Sequence, residues 1–330
     1  MAKVKILDSG ILFNLKGKEI RTPCILEIDQ SDLDLLDSIL KSNGAYKYYL
    51  VNPSDIYTMG DYTLNYRKDL YDKRDYKFKD LLATLPSDEK EVLSTTSYVD
   101  WTNQMTPVKH QGSLGSCVAF ALTAVKEWQE QKEHDREVAN GKKYIREEKY
   151  YDLSEQWLYY KTKQIDPWGE NVEGTSLRYA LKIMHSIGIP CEEGWKYNAT
   201  NKGKPESWAP MIAKWGLCGS YYRITGSTDL SNALVKYGPI PIAIYCFRDI
   251  FYVGKDGMIP LPANELNYVG GHAICCVGVN GNLFKLKNSW GTGWGQNGYG
   301  YVTKEYIDKY MKDAWVVNDI SVTRDMLKDK

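Results

Sequence analysis

Three residues in this chain have the types and the spacing for covalent chemistry on an acyl group: Cys117, His272 and Asn288. Cys117 closes Gln111-Gly112-Ser113-Leu114-Gly115-Ser116, a glycine-rich turn that delivers a single cysteine to the start of an apolar run. From Val118 the apolar residues recur at Ala121, Leu122, Val125 and Trp128, the spacing of one helix face. Gly115 and Ser116 then fall where the turn ends and an N-cap lies, with Cys117 in the first helical turn. A helix N-terminus favours negative charge and biases a thiol there toward thiolate, the nucleophilic form. A buried structural cysteine is the competing reading. Two later stretches decide between them: Gly270-Gly271-His272-Ala273-Ile274, a histidine inside an otherwise apolar strand, and Asn288-Ser289-Trp290-Gly291, with Trp294, Gly295 and Gly298 close behind.

Together these blocks resemble the papain-like cysteine peptidases. The resemblance runs from about Val99 to Val317. It rests on Thr106-Pro107-Val108-Lys109-His110-Gln111-Gly112 leading to Gly115-Ser116-Cys117, and on Leu153-Ser154-Glu155-Gln156. It continues with Gly271-His272-Ala273 and with Asn288-Ser289-Trp290-Gly291-x-x-Trp294-Gly295. The activity it implies is hydrolysis of peptide bonds through a thioester acyl-enzyme on Cys117. His272 would act first as base or ion-pair partner and then as acid toward the leaving amine, with Asn288 fixing the imidazole through its other ring nitrogen. The Gln111 side-chain amide and the Cys117 backbone N–H would hold the oxyanion. Trp290 would shield the His272–Asn288 bond from water. Gly174, in Asn171-Val172-Glu173-Gly174-Thr175-Ser176, matches a strand that pairs with substrate backbone, where a small residue permits close approach. Ser176, Gly270 and Gly271 would surround the pocket for the residue before the scissile bond, the two glycines leaving open space there. The resemblance calls for no cofactor and no metal. His272 follows Cys117 by 155 residues, beyond the ~130–150 of the family. The surplus is assigned to the charged stretch Glu130 to Glu148, read as a solvated helix end and an exposed loop. Three departures stand out: Leu114 where secreted relatives carry a further cysteine, Val118 where an aromatic is usual, and Thr175 where a second glycine is common.

Composition narrows the partners. Lysine plus arginine equals aspartate plus glutamate at 42 each, so there is no basic excess for nucleic acid or an anionic membrane. No apolar run approaches the ~18 residues of a membrane span. The start, Met1-Ala2-Lys3-Val4-Lys5-Ile6, lacks the apolar core of a secretory signal. Seven cysteines without regular spacing argue against a disulfide framework. The expected location is therefore intracellular (cytoplasmic) or inside a virion-like particle. Gly293-Trp294-Gly295-Gln296-Asn297-Gly298 satisfies G-x-G-x-x-G by letter, but a strand pattern follows it where a dinucleotide site needs a helix.

The elements that must position these residues divide the chain at 1–52, 53–96 and 97–330. Residues 1–52 read as a small ββαβ module, with strands at Val4–Leu7, Cys24–Ile28 and Tyr46–Val51 and a helix from Ser31 to Gly44. The 53–96 segment, with Arg74-Asp75-Tyr76, reads either as a pro-like strap over the cleft or as a linker pinned to the surface. The remainder should be α+β: a helical lobe at about 97–216 and an antiparallel, barrel-like β lobe at about 217–330. Peptides or proteins are the expected substrates. A second reading makes the chain a latent or auxiliary component of a larger assembly, such as a phage particle, docked through residues 1–52. A third passes the acyl group to an amine instead of water.

Overall fold

The computed structural model describes residues 2–6, 12–16, 18–21, 24–28, 36, 39, 48–51, 58–59, 62–69, 72–141 and 151–320. The chain forms two units, Met1–Tyr57 with Pro262–Val269, and Thr58–Leu261 with Gly270–Lys330. In the first, β1 (Ala2–Ile6) lies between β4 (Cys24–Ile28) and β5 (Tyr48–Val51), antiparallel to both. A hairpin of β2 (Leu12–Leu15) and β3 (Lys18–Arg21), turning at Lys16 with φ +50°, was not expected. Its strands are four residues each, too short for a period to register. Of the helix expected at 31–44, Leu36 and Ile39 are helical and the rest lies outside the described residues.

The second unit opens with a short hairpin, β6 (Thr58–Met59) and β7 (Tyr62–Thr63), then α1 (Phe78–Ala83), α2 (Ser87–Thr95) and β8 (Tyr98–Asp100). The helical half follows as α3 (Cys117–Ala139), α4 (Glu155–Lys163), α5 (Leu177–Ser186) and α6 (Ala209–Ile212). The second half contains β9 (Cys218–Arg223), α7 (Gly226–Tyr237), β10 (Ile240–Phe247), β11 (Tyr268–Asn280), β12 (Leu283–Lys287), β13 (Tyr299–Thr303), α8 (Lys304–Tyr310) and β14 (Met311–Asp319). Its strands run β13-β12-β11-β10-β14-β9, and β8 joins by pairing antiparallel with β11. The β lobe thus borrows a strand from ahead of the helical lobe.

α3 is more deeply set than an amphipathic pattern predicts. Every residue from Cys117 to Glu130 is buried, so all its faces are covered over the first turns. Ser116 occupies the N-cap position, but its hydroxyl does not cap; it hydrogen-bonds the Tyr197 hydroxyl at 2.7 Å. The charged end is solvated at Lys132, Asp135 and Arg136, as the sequence suggested, but not at its start, and 142–148 lie outside the described residues. Glu130 and Glu133 are buried, and Glu130 pairs at 2.8 Å with Lys126, which also meets Asp319. Ionised groups that close to a core are tolerated because they are paired. By contrast Ser154 caps α4, accepting from Trp157 N at 3.0 Å.

A second charge cluster ties the loop before α3 to both helices. Lys109 Nζ lies 2.7 Å from Glu127 on α3 and 2.7 Å from Glu155 on α4, and it also pairs with Asp152. Thr106 donates to Glu127 at 2.6 Å and accepts from Lys287 of β12 at 3.1 Å. Removing the cation strands two buried carboxylates. Lys109→Met should therefore cost about 3–5 kcal/mol, read as a fall in the urea midpoint at unchanged m-value; a loss below about 1 kcal/mol would contradict this account.

Candidate active site

Cys117, His272, Asn288 and Gln111 converge from four elements. Cys117 opens α3; its sulfur accepts from the backbone N–H of Ala273 on β11 at 3.5 Å, which sets it against the residue following His272. His272 Nε2 bonds Asn288 Oδ1 at 2.8 Å, and the same oxygen accepts from Ser289 N at 2.8 Å. That leaves His272 Nδ1 buried and without a hydrogen-bond partner among the described residues. Ser289 donates from its hydroxyl to Gln111 Oε1 at 2.6 Å. This bond orients the Gln111 amide, whose Nε2 donates to Leu114 O at 3.0 Å and to Thr63 O at 3.4 Å. Trp290 lies against the imidazole, ring centroids 4.7 Å apart, and stacks on Phe251 at 5.8 Å and on Tyr62 at 4.9 Å. The His272–Asn288 bond is thereby shut away from water, where a low dielectric strengthens it.

Water is also excluded from above. Residues 62–69 lie across Cys117 as a strap. Tyr66 N donates to Gly271 O and Arg67 N to Thr175 O, both at 2.9 Å, with Tyr66 bridging parallel to Thr175. Asn65 directs its N–H at the sulfur. Cys117 and His272 are both 0% exposed as a result. The strap is anchored by Asp69. Its carboxylate accepts from Ser176 Oγ and, at 3.0 Å, from Arg178 N, so it caps α5 from 107 residues upstream of Ser176. Ser176 itself stands at the N-cap position without capping through its side chain.

These contacts fall inside a known frame. Residues 95–317 match the model of the papain family of cysteine proteases. The chain belongs to that family. An uncharacterized peptidase C1-like protein of Acanthamoeba polyphaga mimivirus is 28% identical over 227 residues, 64% of this chain and 69% of the relative. The viral cathepsin of Choristoneura fumiferana nuclear polyhedrosis virus is 32% identical over 208 residues, 61% of this chain and 57% of the relative. The chain thus spans less than two thirds of that cathepsin. Among solved structures, xylellain, a cysteine protease from Xylella fastidiosa, superposes with a TM-score of 0.65 at 26% identity, covering 78% of this chain and 96% of its own. The digestive procathepsin L 3 of Tenebrio molitor larval midgut shares the fold, with a TM-score of 0.52 at 23% identity.

Within this papain-family frame the strap occupies, in this structure, the positions the resemblance assigns to substrate. Gly174 does not itself offer its backbone for pairing: its N–H donates to the Tyr159 hydroxyl at 3.3 Å and its carbonyl accepts from Lys163 Nζ at 2.9 Å. Thr175 does the pairing. Gly174 is needed for approach, having φ +80° and lying where a Cβ would come 1.9 Å from Asn65 O. Nor is there open space at Gly271, because Tyr66 fills it; a Cβ there would sit 2.9 Å from the ring and from Tyr66 O. Gly270 is buried beside it in β11. Finally, Ser176 is engaged by Asp69. Sequence reasoning did not single out Ser289, Tyr159, Lys163 or Asp69. Only Ser289 had a local signal, its place between Asn288 and Trp290.

Burial sets the resting protonation state. It pushes the Cys117 thiol up to about 11, against the N–H donors of Ala273, Asn65 and Val118. It holds the His272 imidazole down at about 4, partly offset by Asn288. At neutral pH the closed site therefore contains a thiol and a neutral imidazole. Closure loses the His272 contribution as pH falls from the ordinary ~6.5 through about 4. It loses the Cys117 contribution as pH rises from the ordinary ~8.5 through about 11. In the intact chain, alkylation of Cys117 by a neutral haloacetamide should rise about tenfold per pH unit toward pH 11, followed on the Cys117 peptide by mass spectrometry. Asp69→Ala, which removes the anchor, should plateau at a distinctly lower pH. Superimposable profiles would show that the strap does not govern the thiol.

Proposed function

We propose that this papain-family chain cleaves peptide bonds in peptides or proteins through a Cys117 acyl-enzyme, and that it rests in a closed, unreactive state held by residues 62–69. The observation that carries the proposal is the linked set Cys117–Ala273, His272–Asn288 and Ser289–Gln111, sealed by backbone pairing of the strap. Once the strap leaves, water and substrate reach the pair, and the thiolate–imidazolium form becomes accessible at the α3 N-terminus. The thiolate attacks the carbonyl carbon. Gln111 Nε2 and the Cys117 N–H receive the developing oxyanion, and His272 protonates the departing amine. A water then attacks the thioester with His272 as base, releasing the acid and restoring the thiol.

Chain direction supports the resting role. The family resemblance puts the residue before the scissile bond beside Ser176, Gly270 and Gly271. The strap places Tyr66 there, C-terminal to the Asn65 that faces the sulfur, while Tyr62 and Thr63 lie toward Trp290 and Gln111. A substrate has its acyl side N-terminal to the scissile bond, so the strap runs backwards and is not offered for attack.

Intact mass after exposure to an irreversible epoxide that alkylates papain-like thiolates tests the proposal. Asp69→Ala should gain one adduct about 10- to 100-fold faster than the unaltered chain, as expected for losing a charge-assisted anchor, and Cys117→Ala should gain none. A folded Asp69→Ala protein that takes no adduct would overturn the reading. With the site open, Gln111→Ala should lower kcat by about 10²–10³; an unchanged kcat would remove Gln111 from the oxyanion site.

A further inference from the structure

The strap's own side chain reports what the adjoining pocket is built to hold. Tyr66 is 7% exposed, its ring over Gly271 and its hydroxyl donating to Asp313 Oδ2 at 3.2 Å. The same hydroxyl accepts from the backbone N–H of Asp69. Asp313 is 3% exposed on β14, and its other oxygen is held by Arg223 Nη1 at 2.5 Å. Asp69 departs with the strap. Asp313 and Arg223 belong to β14 and β9 and stay behind.

We infer that the pocket vacated by Tyr66 selects substrates carrying a tyrosine side chain, with Asp313 as the specificity-determining acceptor for the phenol. This rests on the peptidase reading above and names the substrate class of the same site. A phenylalanine fills the space over Gly271 but leaves a buried carboxyl oxygen without its donor, which costs far more than a missing methylene. A lysine or arginine brings a second cation beside Arg223, which already pairs with Asp313 through its other oxygen. Tyrosine supplies both the flat ring that Gly271 admits and the single donor that Asp313 lacks.

The test uses the full chain with Asp69→Ala, to release the strap, Tyr66→Ala, to vacate the pocket, and Cys117→Ala, to separate binding from turnover. Dye-labelled peptides differing only as tyrosine, phenylalanine or arginine at one position are titrated by fluorescence anisotropy. Tyrosine should bind about 10- to 100-fold tighter than phenylalanine. Asp313→Asn, which retains an acceptor oxygen, should keep most of that preference, and Asp313→Leu should abolish it. Phenylalanine binding as tightly as tyrosine, arginine binding tighter, or no peptide binding at all would overturn the inference. The same peptides are then offered to the Asp69→Ala/Tyr66→Ala chain with Cys117 intact. Hydrolysis without tyrosine preference would overturn the pocket and leave the peptidase reading standing. Tyrosine-selective binding without hydrolysis would uphold the pocket and overturn the peptidase reading.

Discussion

One short length of backbone, residues 65–67, is bonded to both walls of the cleft at once. Tyr66 N reaches Gly271 in the β lobe, and Arg67 N reaches Thr175 in the helical lobe. Each such bond is worth only about 0.5–1.5 kcal/mol net, but each also removes a route by which water could reach the sulfur. The approach is possible because the walls carry glycine where the strap passes closest, at Gly174 and Gly271. Side chains there would open the cleft by the width of a methyl group, and the exclusion of water would fail with it.

From that exclusion follows the electrostatic state of the site. An imidazole and a thiol taken out of water both favour their neutral forms, because no solvent remains to stabilise charge. The protein keeps its charges elsewhere, in compact clusters: Lys109 with Glu127 and Glu155 behind α3, and Arg223 with Asp313, Asp69 and Asp75 beneath the strap. Burial and the facing Asp69 carboxylate drive Asp313 well above the usual carboxylate range, against the pull of Arg223. The first cluster holds the nucleophile helix to its own lobe. The second joins the strap to both lobes, since Asp69 accepts from Arg178 N of α5 and pairs with Arg223 of β9. Structural rigidity and catalytic silence thus draw on the same segment.

Residues in contiguous blocks were the legible ones. Cys117 sits in a turn-to-helix pattern, and His272 and Asn288 each lie within several residues of family sequence, so a local window carries their identity. Gln111 was placed by the family block it shares with Cys117, although the bond that aims it comes from Ser289. The two lobes were visible as a change from helical to strand periodicity. The N-terminal strand β8, which completes the sheet, was not, because three residues carry no period. The strap was legible only as a possibility. Asp69 looks like one acid in a mixed-charge run, and nothing local reveals that its partners are Ser176 and Arg178. Tyr66 is one of 26 tyrosines. Asp313 has charged neighbours on its N-terminal side, so its burial is invisible until β14 is laid between β10 and β9. Glu130 and Glu133 misled for the mirror-image reason: charge suggested solvent, and although their partners Lys126 and Arg136 lie one turn away on α3, the Asp319 that Lys126 also meets is tertiary.

Sealing Cys117 as a neutral thiol also has a chemical consequence unrelated to substrates. Peroxide attacks thiolates that it can reach, and the resulting sulfenic acid proceeds to forms that no ordinary reductant reverses. A thiol held near 11 and wholly out of water offers neither the charge nor the access. The same segment that withholds the nucleophile from peptides therefore preserves it from oxidants. Molecules kept closed retain a usable sulfur through oxidative exposure, and the clock of irreversible damage starts only when the strap departs.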